Sequence, residues 1–261
     1  MLKVFTTSIK RKLMNWNVSE GLYWKSFLFS EDEIYSDKIV AMKLISLNTW
    51  GGRVSEPFIA FIKERASDTD IFCFQEVLTG GSGKTSREEM KDCYEQIGKT
   101  LANHAGYFPG YGEGGYYSES SKGMDFDYGV ACFAKKDLEQ SLIGSVALYD
   151  LETKWGDYDG GFAAGASLAV KVSGHAIVNV HGLWQGSMKK DSEARFEQSR
   201  RILDLANKGT GKKIICGDFN LEPDTKSIGM IEGLPTRNLI KEYGIKSTRS
   251  SHYKKELKFA D

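Results

Sequence analysis

The sequence predicts an α/β protein in which two packed β-sheets are flanked by helices, and three features predict it. Short apolar runs alternate with segments of helical periodicity, the pattern left by strands joined through helices. Two strand-like runs, "GVACFAKK" and "ASLAVKV", follow one another between residues 129 and 180, which asks for a second sheet. Four apolar runs each end in a polar residue suited to metal or proton chemistry. They are Leu44-Ile45-Ser46-Leu47-Asn48, Ile71-Phe72-Cys73-Phe74-Gln75-Glu76, Ile177-Val178-Asn179-Val180-His181, and Ile214-Ile215-Cys216 leading into Gly217-Asp218-Phe219-Asn220. Open α/β sheets gather their sites at the C-terminal ends of strands, so the repeated design points to one shared site.

A chain of 261 residues fits one large domain or two small ones and can bury a substantial core. Hydrophobic residues at 41% and charged residues at 27% are those of an ordinary globular protein. The formal net charge is zero, which argues against bulk duplex nucleic acid as the main partner, because such binding neutralises many phosphates. A local basic face is still compatible with it. Cys73, Cys93, Cys132 and Cys216 include no C-x-x-C pair and read as small buried hydrophobes of a reducing compartment. No run approaches the ~20 apolar residues of a membrane span, and residues 1–41 hold no continuous signal-like apolar stretch. The expectation is a cytoplasmic protein without a membrane partner.

Taken in order, residues 1–41 form an N-terminal extension. It is basic at first (Lys3, Lys10, Arg11, Lys12), then aromatic (Trp16, Tyr23, Trp24, Phe27, Phe29), then acidic (Glu31, Asp32, Glu33), without a sustained period. Two readings stay open: a loose extension outside a domain of residues 42–261, or a short arm that docks its rings on a partner. After the first strand, Pro57 suits a helix N1 position, with Phe58, Phe61 and Ile62 on one face. Ser86 and Glu89 have capping-box spacing ahead of a helix marked by Met90, Cys93, Ile97 and Leu101. From about Gly106 to Gly129 runs a loop rich in glycine, tyrosine and serine, read either as substrate contact or as a solvated loop with anchoring rings. Residues 191–207 predict an amphipathic helix with Phe196, Leu203 and Ala206 on one side and Gly209 as its stop.

The strand ends carry the chemistry. A glutamate closing a buried strand is costly unless a cation meets it, which makes Glu76 the first candidate metal ligand. Mg²⁺ or Mn²⁺ suits such a place, since a hard cation needs only one or two carboxylates plus a substrate phosphate. Asn48 offers both a carbonyl oxygen and an NH₂, so it can touch the metal or hold Glu76 in place. His181 can give a proton or a hydrogen bond to phosphate. Trp184, on the loop that follows, can stack on a base, cover a lipid or sugar, or simply pack. Near the end, Arg249 and His252 stand with Tyr253, Lys254 and Lys255, a mix that suits phosphate contact as well as plain solvated charge.

The motifs "LISLNTWGG", "DIFCFQEV", "VNVHGLWQ" and "IICGDFN", in that order between Met42 and Asp261, resemble those of the endonuclease/exonuclease/phosphatase superfamily of metal-dependent phosphodiesterases. The resemblance implies a four-layer α/β/β/α sandwich and metal-dependent hydrolysis of phosphodiester bonds, with Mg²⁺ or Mn²⁺ as cofactor. The implied substrate is nucleic acid or a small phosphodiester. It implies that Asp218 orients or deprotonates the attacking water and that Asn220 binds a phosphate oxygen or the metal shell. "LKFAD" supplies Asp261, which matches the acid that orients a histidine in a terminal Ser-Asp-His motif. By resemblance the chain stops before that motif, with an open sheet edge and weakened turnover. Trp50 stands where some relatives carry an acid, which loads the metal onto Glu76 and resembles the deadenylase and sphingomyelinase side of the superfamily. The alternatives are a phosphatase or phospholipid diesterase of the same superfamily, or a non-catalytic binding module that keeps the fold.

Overall fold

The computed structural model describes residues 42–109, 126–148, 165–185, 189–234 and 236–248, with the backbone of residues 5–6, 14–19, 22–29 and 162–163. Strands β1 (Phe5–Thr6), β2 (Met14–Ser19) and β3 (Leu22–Phe29) precede β4 (Met42–Asn48), helix α1 (Ser55–Arg65) and β5 (Ile71–Thr79). Then come α2 (Cys93–Thr100), β6 (His104–Tyr107), β7 (Asp127–Lys135), β8 (Gln140–Ala147), β9 (Phe162–Ala163) and β10 (Ala166–Val172). The remainder is β11 (His175–His181), β12 (Trp184–Gln185), α3 (Glu193–Lys208), β13 (Lys213–Asp218), α4 (Lys226–Glu232), β14 (Arg237–Asn238) and α5 (Leu239–Glu242).

Two six-stranded sheets result, in the orders β2-β3-β4-β5-β7-β6 and β14-β1-β13-β11-β10-β8. The central pair of each sheet is parallel, β4 with β5 and β11 with β13, and the other neighbours are antiparallel. Parallel neighbours need a crossover connection, which α1 and α3 provide. The four strands singled out in the sequence are therefore the centres of the two sheets.

Strand alternation sets the layers. Leu44, Ile71, Cys73, Ile177, Ile214 and Cys216 point into the seam between the sheets. Ile45, Phe72 and Phe74 face outward onto Phe58, Phe61 and Ile62 of α1 and onto Ile97 of α2. Val178, Val180 and Ile215 face outward onto Ile202 and Leu205 of α3 and Ile228 of α4. The expected α/β/β/α sandwich is thus the observed one. All four cysteines are buried free thiols.

Three local expectations are corrected. Helix α3 buries Arg195, Gln198, Ser199, Ile202, Leu205 and Ala206, while Phe196 and Leu203 lie half-buried on its flank. The helix is turned by polar anchors: Gln198 accepts from Leu183 N at 2.6 Å and donates to the Phe219 carbonyl at 3.3 Å. Ser86 and Glu89 form no capping box; the Thr85 hydroxyl accepts from Arg87 N and Glu89 N and donates to Glu89 Oε2, and α2 starts only at Cys93. Strand β3 pairs along β4, in register from Ser26↔Ile45 to Phe29↔Met42, with β2 beyond it. Pro57 falls two residues inside α1, still in the first turn, where its missing N–H costs nothing.

One irregularity positions the site. Along β5 the register with β7 slips between Phe74 and Val77: Phe74 faces Ala131 and Val77 faces Gly129, so Gln75 and Glu76 together oppose Val130. This is a β-bulge, which re-aims side chains. Regular alternation would send Glu76 to the helix-covered face with Phe72 and Phe74; the extra residue, at φ 56°, turns it to the strand mouth instead. Asn179, reaching across from β11 in the other sheet, donates to the Phe74 carbonyl at 2.9 Å and the Ala131 carbonyl at 3.0 Å. Its own oxygen accepts from Gln75 Nε2 at 2.6 Å. Asn179→Ala would leave these buried groups without that partner, at about 1–3 kcal/mol for each stranded group. We expect urea denaturation to show a loss of about 2–5 kcal/mol; a loss below about 1 kcal/mol, the scale of an ordinary substitution, would mean that the bulge stands without its brace.

Candidate active site

The C-terminal ends of β4, β5, β11 and β13 bring Asn48, Glu76, His181 and Asp218 together. In β11 and β13 His181 and Asp218 are register partners. Main-chain contact there is close enough to exclude side chains. Gly182 N donates to the Asp218 carbonyl at 2.6 Å, and a Cβ on Gly182 would stand 2.2 Å from the Phe219 carbonyl oxygen. Gly217, at φ 135°, would put a Cβ 1.9 Å from the Val180 carbonyl oxygen. Only glycine permits that approach and that backbone.

Asn48 sits between the two acids. Its Nδ2 donates to Glu76 Oε1 at 2.8 Å and to Asp218 Oδ2 at 3.1 Å, while its Oδ1 accepts from Trp50 N at 2.8 Å. His181 Nε2 lies 3.6 Å from Glu76 Oε1, and its ring is tilted against Tyr128 at 6.3 Å between centroids. Thr49 fixes the Glu76 backbone by donating its hydroxyl to that carbonyl at 2.7 Å. Trp50, Glu76 and Asn220 are three of five non-glycine residues at positive φ among the described residues. Such conformations cost about 1–3 kcal/mol each and cluster where geometry serves function.

Asn220 is committed on both sides. Its Nδ2 donates to the Gly182 carbonyl at 2.8 Å and its Oδ1 accepts from Lys189 Nζ at 2.5 Å, while its backbone N–H donates to Asp218 Oδ1 at 3.0 Å. In this arrangement it shapes the wall and orients Asp218. Lys189, which the sequence reading passed over, is 5% exposed. Burial alone would push the Asp218 carboxyl up, while the Lys189 ammonium and the Asn220 N–H act in the opposite direction. The loop carrying Lys189 is fixed from both sides: its carbonyl accepts from Glu222 N at 2.9 Å, and Arg195 Nη1 donates to the Lys190 carbonyl at 2.6 Å. Burial pulls the Arg195 guanidinium down to about 10, still cationic at neutral pH. Nothing in "MKKD" separates Lys189 from a solvated lysine; only the fold does.

Among the other candidates, Trp184 is 36% exposed on the loop after His181, its backbone paired with Ala163. Arg249, His252 and Asp261 lie outside the described residues, as do residues 110–125 of the glycine- and tyrosine-rich loop. No group of three or more His, Cys, Asp or Glu among the described residues is set to hold a metal. The donors at hand are the oxygens of Glu76, Asp218 and Asn48. That set suits a hard cation such as Mg²⁺ or Mn²⁺, which needs few protein ligands. The point where the Asn48 NH₂ meets both carboxylates already attracts positive charge. Asn48 itself would become a ligand only by turning its amide over. Among the described residues, no helix is long and apolar enough to cross a membrane.

A family model described as the Endonuclease/Exonuclease/phosphatase family matches residues 45–236. No curated protein matches the chain. Among solved structures it is similar to an endonuclease/exonuclease/phosphatase family protein from Leptotrichia buccalis C-1013-b, at 15% identity over 74% of each chain with a TM-score of 0.46. A protein of the same description from Bacteroides thetaiotaomicron is 16% identical over 74% of this chain and 68% of its own, with a TM-score of 0.46. The human Nocturnin catalytic domain with bound sulfate is 17% identical over 74% and 69%, with a TM-score of 0.43.

The bridging role of Asn48 is open to a direct check. Asn48→Asp would set a third carboxylate where an NH₂ now joins two. In calorimetry with a chelator we expect a loss of about 1–3 kcal/mol, or roughly 2–10 °C in melting temperature for a chain of this size, restored for the most part by Mg²⁺. A variant as stable as the wild type in chelator would show that the donated hydrogen bonds are dispensable.

Proposed function

Because the chain belongs to the Endonuclease/Exonuclease/phosphatase family, we propose that it is a metal-dependent phosphodiesterase acting on nucleic acid or nucleotides with Mg²⁺ or Mn²⁺. The observation that carries this reading is the convergence of Asn48, Glu76, His181 and Asp218 at the ends of the four central strands. Phosphodiester hydrolysis needs positive charge against the developing phosphorane, a water made nucleophilic, and a route for protons. Glu76, with Asn48 and Asp218 beside it, would hold the cation. When bound, that cation would offset phosphoryl charge and orient the ester.

The chain's own groups divide the rest. Asp218 is anionic, buried and aimed by the Asn220 N–H, so it suits the task of accepting a proton from water. His181 can donate to a phosphate oxygen or to the leaving oxygen. Lys189 supplies a fixed positive charge behind Asp218 and keeps Asn220 in place. Asn220 thus supports the reading as a positioning residue rather than as a direct phosphate ligand. Trp184, exposed on the loop after His181, has the place and the surface to meet substrate. A zero net charge favours single strands or short oligonucleotides over long duplex, since counterion release is small for such a protein.

Two measurements test this. Calorimetric titration with Mn²⁺ should show one main site that Glu76→Gln weakens at least about tenfold, or ~1.4 kcal/mol, modest for the loss of a ligand's full charge; unchanged affinity would move the metal elsewhere. In a panel of single-stranded oligonucleotides, duplex DNA, inositol phosphates and phosphocholine lipids, the fastest turnover is expected on the single strands. Preference for either non-nucleotide class would replace the nuclease reading by a phosphatase or lipid diesterase. Metal binding without turnover on any of them would point to a binding module.

A further inference from the structure

We propose that Trp50, backed by Arg53, is a platform on which an unpaired base of the substrate stacks beside the scissile phosphate, so that the site takes single-stranded nucleic acid. This rests on the phosphodiesterase reading above and names its substrate determinant. Trp50 is 40% exposed, and its N–H is bonded to Asn48 Oδ1, one residue removed from both acids. It holds φ 53°, a conformation that bulky side chains rarely adopt. The Arg53 guanidinium carbon lies 5.1 Å from the ring centroid, a cation–π contact.

The turn that carries the ring is rigid. Arg53 Nη2 donates to Glu89 Oε1 at 2.7 Å, and the Glu89 side chain is 3% exposed. Gly51 accepts from Met90 N at 2.8 Å, and a Cβ on Gly51 would come 2.5 Å from Glu89 Cγ. The exposed indole stands on an unfavourable backbone and is backed by an arginine whose partner carboxylate is buried. What it offers is a preoriented π-surface at the mouth, with a cation behind it. Every base has a π-face, so stacking tolerates sequence. A base inside a duplex is already stacked on its neighbours and would have to be extruded first.

The test compares a dinucleoside monophosphate with its doubly abasic counterpart, each holding one cleavable linkage. For the wild type, KM is expected to be far lower with bases present. Trp50→Leu should raise KM for the dinucleotide by ~5–150-fold, the equivalent of the ~1–3 kcal/mol lost per unstacked base, and bring the two KM values together. Trp50→Phe should restore most of the difference, and quenching of 2-aminopurine in the bound dinucleotide should be lost in Trp50→Leu and kept in Trp50→Phe. An equal KM rise on both substrates, or unaltered quenching in Trp50→Leu, would overturn the platform and leave the phosphodiesterase reading standing. A wild-type protein that cleaves neither substrate would bring down both.

Discussion

Face-to-face sheets normally meet through apolar side chains, and their main-chain hydrogen bonds stay within each sheet. Asn179 breaks that separation. Its amide leaves β11, crosses the seam and ties down two carbonyls that flank the bulge of β5, while the Asn179 main-chain carbonyl accepts from Ser167 Oγ at 3.0 Å. A buried amide in an apolar seam is tolerated only when its donors and acceptor find partners, and here they do. The consequence reaches the chemistry. Glu76 stands on one sheet, Asp218 and His181 on the other, and the distance between them is set by how the sheets dock. The amide that crosses the seam one layer below the site therefore fixes register between sheets as well as the shape of a bulge.

Apart from one amide that they share, the two acids of the site are held by separate neighbours. Two acids share one amide NH₂, a buried lysine lies behind the more deeply buried acid, and a histidine stands 3.6 Å from the more accessible one. The Asn48 NH₂ is held by the two carboxylates and the Asn220 NH₂ by the Gly182 carbonyl, so the cluster is ordered by its own hydrogen bonds. Preorganised polar surroundings of this kind account for a large share of enzymatic rate enhancement.

Much of this was legible in the residues. The two packed sheets and their flanking helices came from apolar runs spaced by helical segments, and the four strand ends that the fold brings together from what terminates those runs. Alternation along "IVNVH" already puts Asn179 on the same face as His181. What was not legible follows from physics that a linear pattern does not carry. A bulge is one unpaired residue, and "FCFQEV" looks like an ordinary buried strand until its partner strand is known. Lys189 reads as solvated because lysine usually is; its burial depends on Asn220, thirty-one residues away. The rotation of α3 was missed because Gln198 and Ser199 look like surface residues, and only their main-chain partners make them interior ones. The capping box failed by one position, since Thr85, not Ser86, closes that turn.

The strand orders also bear on how the chain reaches its final form. The first sheet uses residues 14–135 alone; the second uses residues 140–238, with Phe5–Thr6 slotted between β13 and β14. The first sheet can therefore assemble from chain that is continuous in sequence, at low loop-closure cost, and so can the second apart from Phe5–Thr6. A ribosome would deliver the first sheet whole before the second has begun. The strand at the chain's start must then wait for β13, closing a loop of more than two hundred residues. Since the acids come from different sheets, neither half holds both of them. Asn48, Glu76, His181 and Asp218 meet only at docking, and no partly built form of this molecule holds the four together.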